Sequence, residues 1–281
     1  MASTSTRIHE KVQVQATIKC LIALCCFTVL AGLCERRLAQ ASQKVVDIPT
    51  RQGVTQRFVY LAPENPKASV ILFAGGHGGL QISRTGSFGW GEGNFLVRTH
   101  QLFEKNGLSV AVVDAPSDRQ AAPFLGGFRQ KPEHVADIKA VIAWLKQQAN
   151  VPVWLVGTSM GTQSAAFIAT QVGPGDGGPD GLVLTSTILS LDVGRPVPAM
   201  PLQNVVIPVL VVHHEKDGCN LCAYSQIPRL MEKLSSTPRK ELVTYKGGEN
   251  RGDPCEALAY HGFNGLEKDV VVKISEWIQT K

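Results

Sequence analysis

The chain has 281 residues, of which 44% are hydrophobic and 18% charged, with a formal net charge of +5. Residues 1–41 hold five Lys/Arg against two Asp/Glu, which leaves 23 against 21 for the remaining 240. The composition is globular, the length allows one large α/β domain of about 250 residues, and the nearly neutral body excludes a nucleic-acid partner.

At the amino terminus, Arg7, Lys11 and Lys19 precede an apolar run from Cys20 to Cys34, and Ala39-Gln40-Ala41 follows. This reads as a secretory signal peptide cleaved after Ala41, which leaves residues 42–281 as one exported domain, periplasmic or secreted. Residues 18–34 number 17, at the lower edge of what crosses a bilayer, and Glu35-Arg36-Arg37 charges the approach to the cleavage site. An uncleaved membrane anchor is therefore the alternative. No Asn-x-Ser/Thr acceptor occurs, which suits a bacterial periplasm.

From residue 54 onward, short β-branched runs alternate with segments of helical period. Residues 54–61, 69–74, 108–114, 151–156, 181–187, 206–213 and 241–245 read as strands. Residues 133–148 carry Val135, Ile138, Ile142 and Leu145 at spacings of three and four, a stripe that docks a helix on a sheet. Residues 160–171 and 270–278 also read as helices. Unbroken apolar strands such as Val153-Trp154-Leu155-Val156 are what a parallel sheet covered on both faces requires. The expected class is a single-domain α/β three-layer sandwich.

The glycine-rich stretches at 75–93 and 173–181 are loops. Gly173, Gly175 and Gly178 have the spacing of a dinucleotide fingerprint, but they follow a helix and are interrupted by Pro174 and Pro179. No phosphate-binding loop occurs either, so no cofactor is expected.

Gly157-Thr158-Ser159-Met160-Gly161 stands between a strand and a helix. A nucleophile held at such a sharp turn needs small residues two positions to either side, and the helix that follows turns its positive end toward the hydroxyl. Ser159 is therefore the candidate nucleophile. A serine needs a base, and the base needs an acid to orient it. Asp217 lies just past the strand that ends at His213, with Glu215 and Asp192 as fallbacks. Among seven histidines, His261 follows the last strand and leads into the final helix, which gives the chain order serine, acid, histidine. His213 and His214, at the end of the acid's strand, read as one packed residue and one loop contact. Backbone amides of Met160 and of Gly76, in the run Gly75-Gly76-His77-Gly78-Gly79, are the expected oxyanion donors, with Gly75 or His77 within one residue of that choice. Phe88 and Trp90 are candidates either for an acyl pocket or for packing.

These residues resemble the α/β-hydrolase superfamily over about residues 50–280, with residues 157–161 as its nucleophile elbow. The resemblance implies a mostly parallel sheet of about eight strands and matches Ser159, Asp217 and His261 to nucleophile, acid and base. It is closest to exported bacterial serine esterases. The segment from Ile188 to Asn204 is short and proline-rich where many members carry a lid, so little or no cap domain is expected. The expected activity is hydrolysis of a small-molecule ester of a small or medium acyl group. A peptidase and a non-catalytic binding protein on the same fold are the alternatives, and oligomeric state stays open.

Of the seven cysteines, Cys20, Cys25, Cys26 and Cys34 lie in the apolar leader, and Cys219, Cys222 and Cys255 remain. One disulfide and one free thiol are expected in an oxidising compartment. The bridge runs from Cys255 to Cys219 or Cys222, joining the acid loop to the base loop. A redox pair, or a zinc site with His213 or His214, is the competing use, and no metal is expected. Arg251-Gly252-Asp253 reads as a chance triplet in a polar loop.

Overall fold

The structure is a computed structural model that describes residues 43–191 and 195–280. The leader with its four cysteines, His9 and the fallback acid Asp192 lie outside the described residues. Among the described residues, no helix is long and apolar enough to cross a membrane.

Eight strands build one sheet: β1 (Lys44–Arg51), β2 (Val54–Leu61), β3 (Ala68–Phe73), β4 (Leu108–Val113), β5 (Val153–Ser159), β6 (Gly181–Thr187), β7 (Val209–His214) and β8 (Lys240–Tyr245). Their spatial order is β1-β2-β4-β3-β5-β6-β7-β8. Strand β2 pairs antiparallel with β1 and with β4, and every other neighbouring pair is parallel. The parallel centre is apolar on both faces, as its unbroken Val/Leu/Ile runs require.

Alternate residues of each strand feed two cores. Ile71, Ala111, Leu155, Leu184 and Val211 face the helices α3 (Pro132–Gln148), α4 (Gly161–Gln171) and α5 (Ile227–Lys233). On the other face, Val70, Val110, Trp154, Val183 and Leu210 pack against α1 (Phe95–Arg98), α2 (His100–Lys105) and α6 (Glu267–Gln279). The α3 stripe is buried at Val135, Ile138, Ile142 and Leu145, as its spacing predicts.

Differences from the sequence reading have local causes. Strand β1 is missed because it lies at the sheet edge, where only Ile48 of its eight residues is fully buried and no alternation shows. Helices α1 and α2, of four and six residues, are too short for a periodic stripe. Between β6 and β7 the described chain forms two short 3₁₀ turns, Val197–Ala199 and Leu202–Asn204, and no cap domain.

The topology itself marks one place for a site. From β3 the chain passes along one face to β4, and from β5 it passes along the other face to β6. Adjacent strands whose connections depart to opposite faces leave a crevice at their carboxyl ends. The residues at that crevice are Gly75-Gly76 after β3 and Ser159 at the end of β5.

Candidate active site

Ser159 ends β5 with φ +51°, a left-handed conformation that costs a non-glycine residue about 1–3 kcal/mol. The surrounding backbone leaves no room to relax it. A Cβ on Gly157 would lie 2.6 Å from the carbonyl oxygen of Gly161, and one on Gly161 would strike the carbonyl of Phe73. The Thr162 hydroxyl donates to the Ser159 carbonyl at 2.6 Å and so anchors the turn to the first turn of α4. The spacing of small residues is thus a steric requirement, and its result is a serine side chain on the wall of a cavity.

That cavity has a volume of about 360 Å³. Its wall includes Gly75, Gly76, Trp90, Ser159, Met160 and His261. His261 lies in a 3₁₀ turn, Tyr260–Gly262, just before α6, and its carbonyl accepts a 2.7 Å hydrogen bond from Ser186. The ring Nδ1 lies 2.9 Å from Oδ2 of Asp217. A carboxylate can only accept, so Nδ1 carries a proton, and in the neutral tautomer that this selects, Nε2 presents the lone pair. Nε2 is buried and has no hydrogen-bond partner. Ser159 and His261 therefore line one cavity, with Nε2 of the histidine unpartnered and not bonded to the serine.

Asp217 is held from several sides. Its Oδ1 accepts the Cys219 N–H at 3.0 Å, and His213 Nε2 stands 3.6 Å from Oδ2 while lying 2.8 Å from the Cys222 carbonyl oxygen. Burial pushes the His213 pKa down, against the pull of Asp217, so that ring is neutral at pH 7. Glu215, the fallback acid, instead reaches Lys246 at 3.2 Å and accepts from Thr244. His213 and His214 are both buried, and His214 makes the loop contact that the sequence suggests. His214 stacks on Tyr260 with centroids 4.3 Å apart, and its Nε2 lies 3.0 Å from the Gly247 carbonyl oxygen.

The glycine run after β3 is pinned. Gly76 has φ +56°, and a Cβ there would come within 2.5 Å of the Trp90 indole. The His77 ring is stacked between Trp90 and Phe124, with centroids 3.7 and 4.4 Å away, and its Nδ1 accepts the Gly79 N–H. Farther along, the buried Asp114 carboxylate accepts the N–H groups of Leu80, Gln81, Ile82 and Ala115. Of the two aromatic candidates, Trp90 lines the cavity and Phe88 packs edge-on against His100. The sequence does not single out Arg129, which donates to the carbonyls of Ala74 and Gly76, nor Ser186 and Asp114. An isolated Arg, Ser or Asp without a motif gives no signal of such a role.

A disulfide joins Cys219 to Cys255, 36 residues apart, and Cys222 is a buried free thiol whose pKa burial drives upward. Cys219, Cys222 and His261 bring their donor atoms within 4.8 Å of one another, but the Cys219 sulfur is committed to the disulfide with Cys255, which leaves only two of the three donors. The residues present therefore do not make a zinc site. Arg251 pairs with Glu249 on the exposed surface.

No protein-family model matches the sequence, and no curated protein matches it. Solved structures do resemble it. An esterase from Pyrococcus furiosus superposes with a TM-score of 0.63 at 14% identity, covering 85% of this chain and 91% of that one. A cold-adapted esterase from an Arctic intertidal metagenomic library gives 0.58 at 17%, covering 86% and 96%. A dienelactone hydrolase from Anabaena variabilis gives 0.57 at 15%, covering 85% and 97%. At such identities, what these proteins share with this chain is the fold.

Proposed function

We propose that this chain, which has the α/β-hydrolase fold, is a serine hydrolase that cleaves carboxylic esters through an acyl-enzyme. The observation that carries the reading is the Asp217–His261 pair at 2.9 Å, its free Nε2 buried beside the cavity that a backbone-strained Ser159 also lines. In the proposed reaction, His261 Nε2 takes the Ser159 hydroxyl proton as Oγ attacks the ester carbonyl. Asp217 stabilises the resulting imidazolium, and the N–H groups of Met160 and Gly76 receive the oxyanion. His261 then protonates the departing alcohol, and a water deprotonated by the same imidazole releases the acid.

The cavity supports a small or medium acyl group, since about 360 Å³ is at the low end of ligand pockets. Among the described residues no Lys or Arg lines it and Glu256 does, which favours a neutral acyl group over one bearing a carboxylate. The esterases with a similar fold agree with this reading. Ser159→Ala should abolish hydrolysis of short-chain p-nitrophenyl esters and labelling by a fluorophosphonate. Undiminished turnover, or label on a different residue, would overturn the assignment. Export to the periplasm or medium, by the leader described above, forms part of the proposal.

A further inference from the structure

Arg129 is buried, 3% exposed, and among the described residues it forms no ion pair with a carboxylate; burial lowers its pKa to about 9. It is still charged at neutral pH. Burying a guanidinium costs several kcal/mol unless its donors are satisfied, and here the acceptors are neutral. Nη1 donates to the Ser164 hydroxyl on α4 at 3.0 Å, and Nη2 donates to the carbonyls of Ala74 at 3.2 Å and Gly76 at 3.0 Å. The loop is shaped around it. A Cβ on Gly78 would come within 2.5 Å of Nη2, and Gly78 has φ +75°. Burial, and secondarily the field of this charge, lowers the pKa of His77, and burial with Arg129 and Arg51 lowers that of His134 to about 3.

Resting on the serine-hydrolase reading above, we propose that Arg129 is the positioning residue of the oxyanion hole. The two carbonyls it grips belong to the peptide units on either side of the Gly75–Gly76 peptide, whose N–H is the proposed donor. Fixing both neighbours fixes that N–H. Through Ser164 the same guanidinium ties the loop to the helix that follows the proposed nucleophile, so both oxyanion donors are held by one side chain. Its positive charge also favours negative charge developing in the cavity.

The test uses the purified protein, with p-nitrophenyl acetate as substrate and phenylboronic acid as the probe, since the latter forms a tetrahedral adduct with an active serine. Arg129→Met should lower kcat on the order of 10²-fold, the effect of losing one oxyanion donor. Boronate affinity should fall in parallel while KM stays within about threefold, and Arg129→Lys should recover part of kcat. A purely structural arginine would leave folded variants with native kcat. Ser164→Ala removes a single acceptor and keeps the question answerable where Arg129→Met does not fold. It should lower kcat and boronate affinity together by several-fold, and native values of both overturn the proposal. An active wild type with unaffected variants refutes the role of Arg129 alone. A wild type that neither turns over ester nor reacts at Ser159 refutes the hydrolase reading and this role together.

Discussion

Single residues carry their burden in different ways. His134 is a buried imidazole between Phe73 and Phe128, with both ring nitrogens unpartnered. Burial, with Arg129 and Arg51, holds its pKa at about 3. The group is neutral in the fold and protonates more readily once unfolded, so its contribution is intact above the unfolded value of 6.5 and is lost as pH falls from there toward 3. Between pH 7 and pH 4 this amounts to roughly 3 kcal/mol. His100 and His213 are shifted in the same direction by burial and steepen the same acid limb. Urea unfolding of His134→Leu at both pH values should therefore show a smaller acid loss than wild type; an equal loss would show that this imidazole is not buried neutral. At this scale the sequence was most informative where chemistry imposes a pattern. Ser159, Asp217 and His261 stand out through the elbow and the chain order, whereas Arg129 lies between a phenylalanine and a glutamine in a loop with nothing to single it out.

Elements and loops give the candidate site its geometry. The segment from Gly247 to Ala259 contains no helix or strand, yet it must hold His261 within 2.9 Å of Asp217. The Cys219–Cys255 bridge closes it onto the loop that carries Asp217. On the chain-entropy model, closing 36 residues stabilises the fold by about 3–4 kcal/mol. Cys255→Ser should lower stability by about that amount in urea unfolding and reduce kcat by loosening the base loop. Unchanged stability and unchanged kcat would mean that the loops are held without it. Which cysteine pairs with Cys255 was not legible, because Cys219 and Cys222 lie in the same loop. The choice is made by packing: the Cys222 thiol turns inward toward the Ser186 carbonyl at 3.4 Å, leaving Cys219 at the cavity wall. The strand runs were legible for the opposite reason. Burial on both faces writes itself as continuous Val, Leu and Ile, while the edge strand β1, with Lys44, Asp47 and Pro49, carries no such imprint.

Across the whole molecule, the reversal of strand order at β3 and β5 sets the crevice, and each proposed catalytic group sits at the carboxyl end of a strand or in the loop beyond it. The sheet is the rigid frame: its central residues Ile71, Val112, Leu155 and Val211 are fully buried. The chemistry is left to loops pinned by Asp114, Arg129, the disulfide and Ser186. Mixing p-nitrophenyl acetate with the purified protein in a stopped-flow instrument tests the central claim most directly. An acyl-enzyme on Ser159 predicts a burst of about one nitrophenolate per chain before steady turnover, with acetyl recovered on the Ser159 peptide and no burst from Ser159→Ala. A burst that persists in that variant, or acetyl found on another side chain, would contradict it.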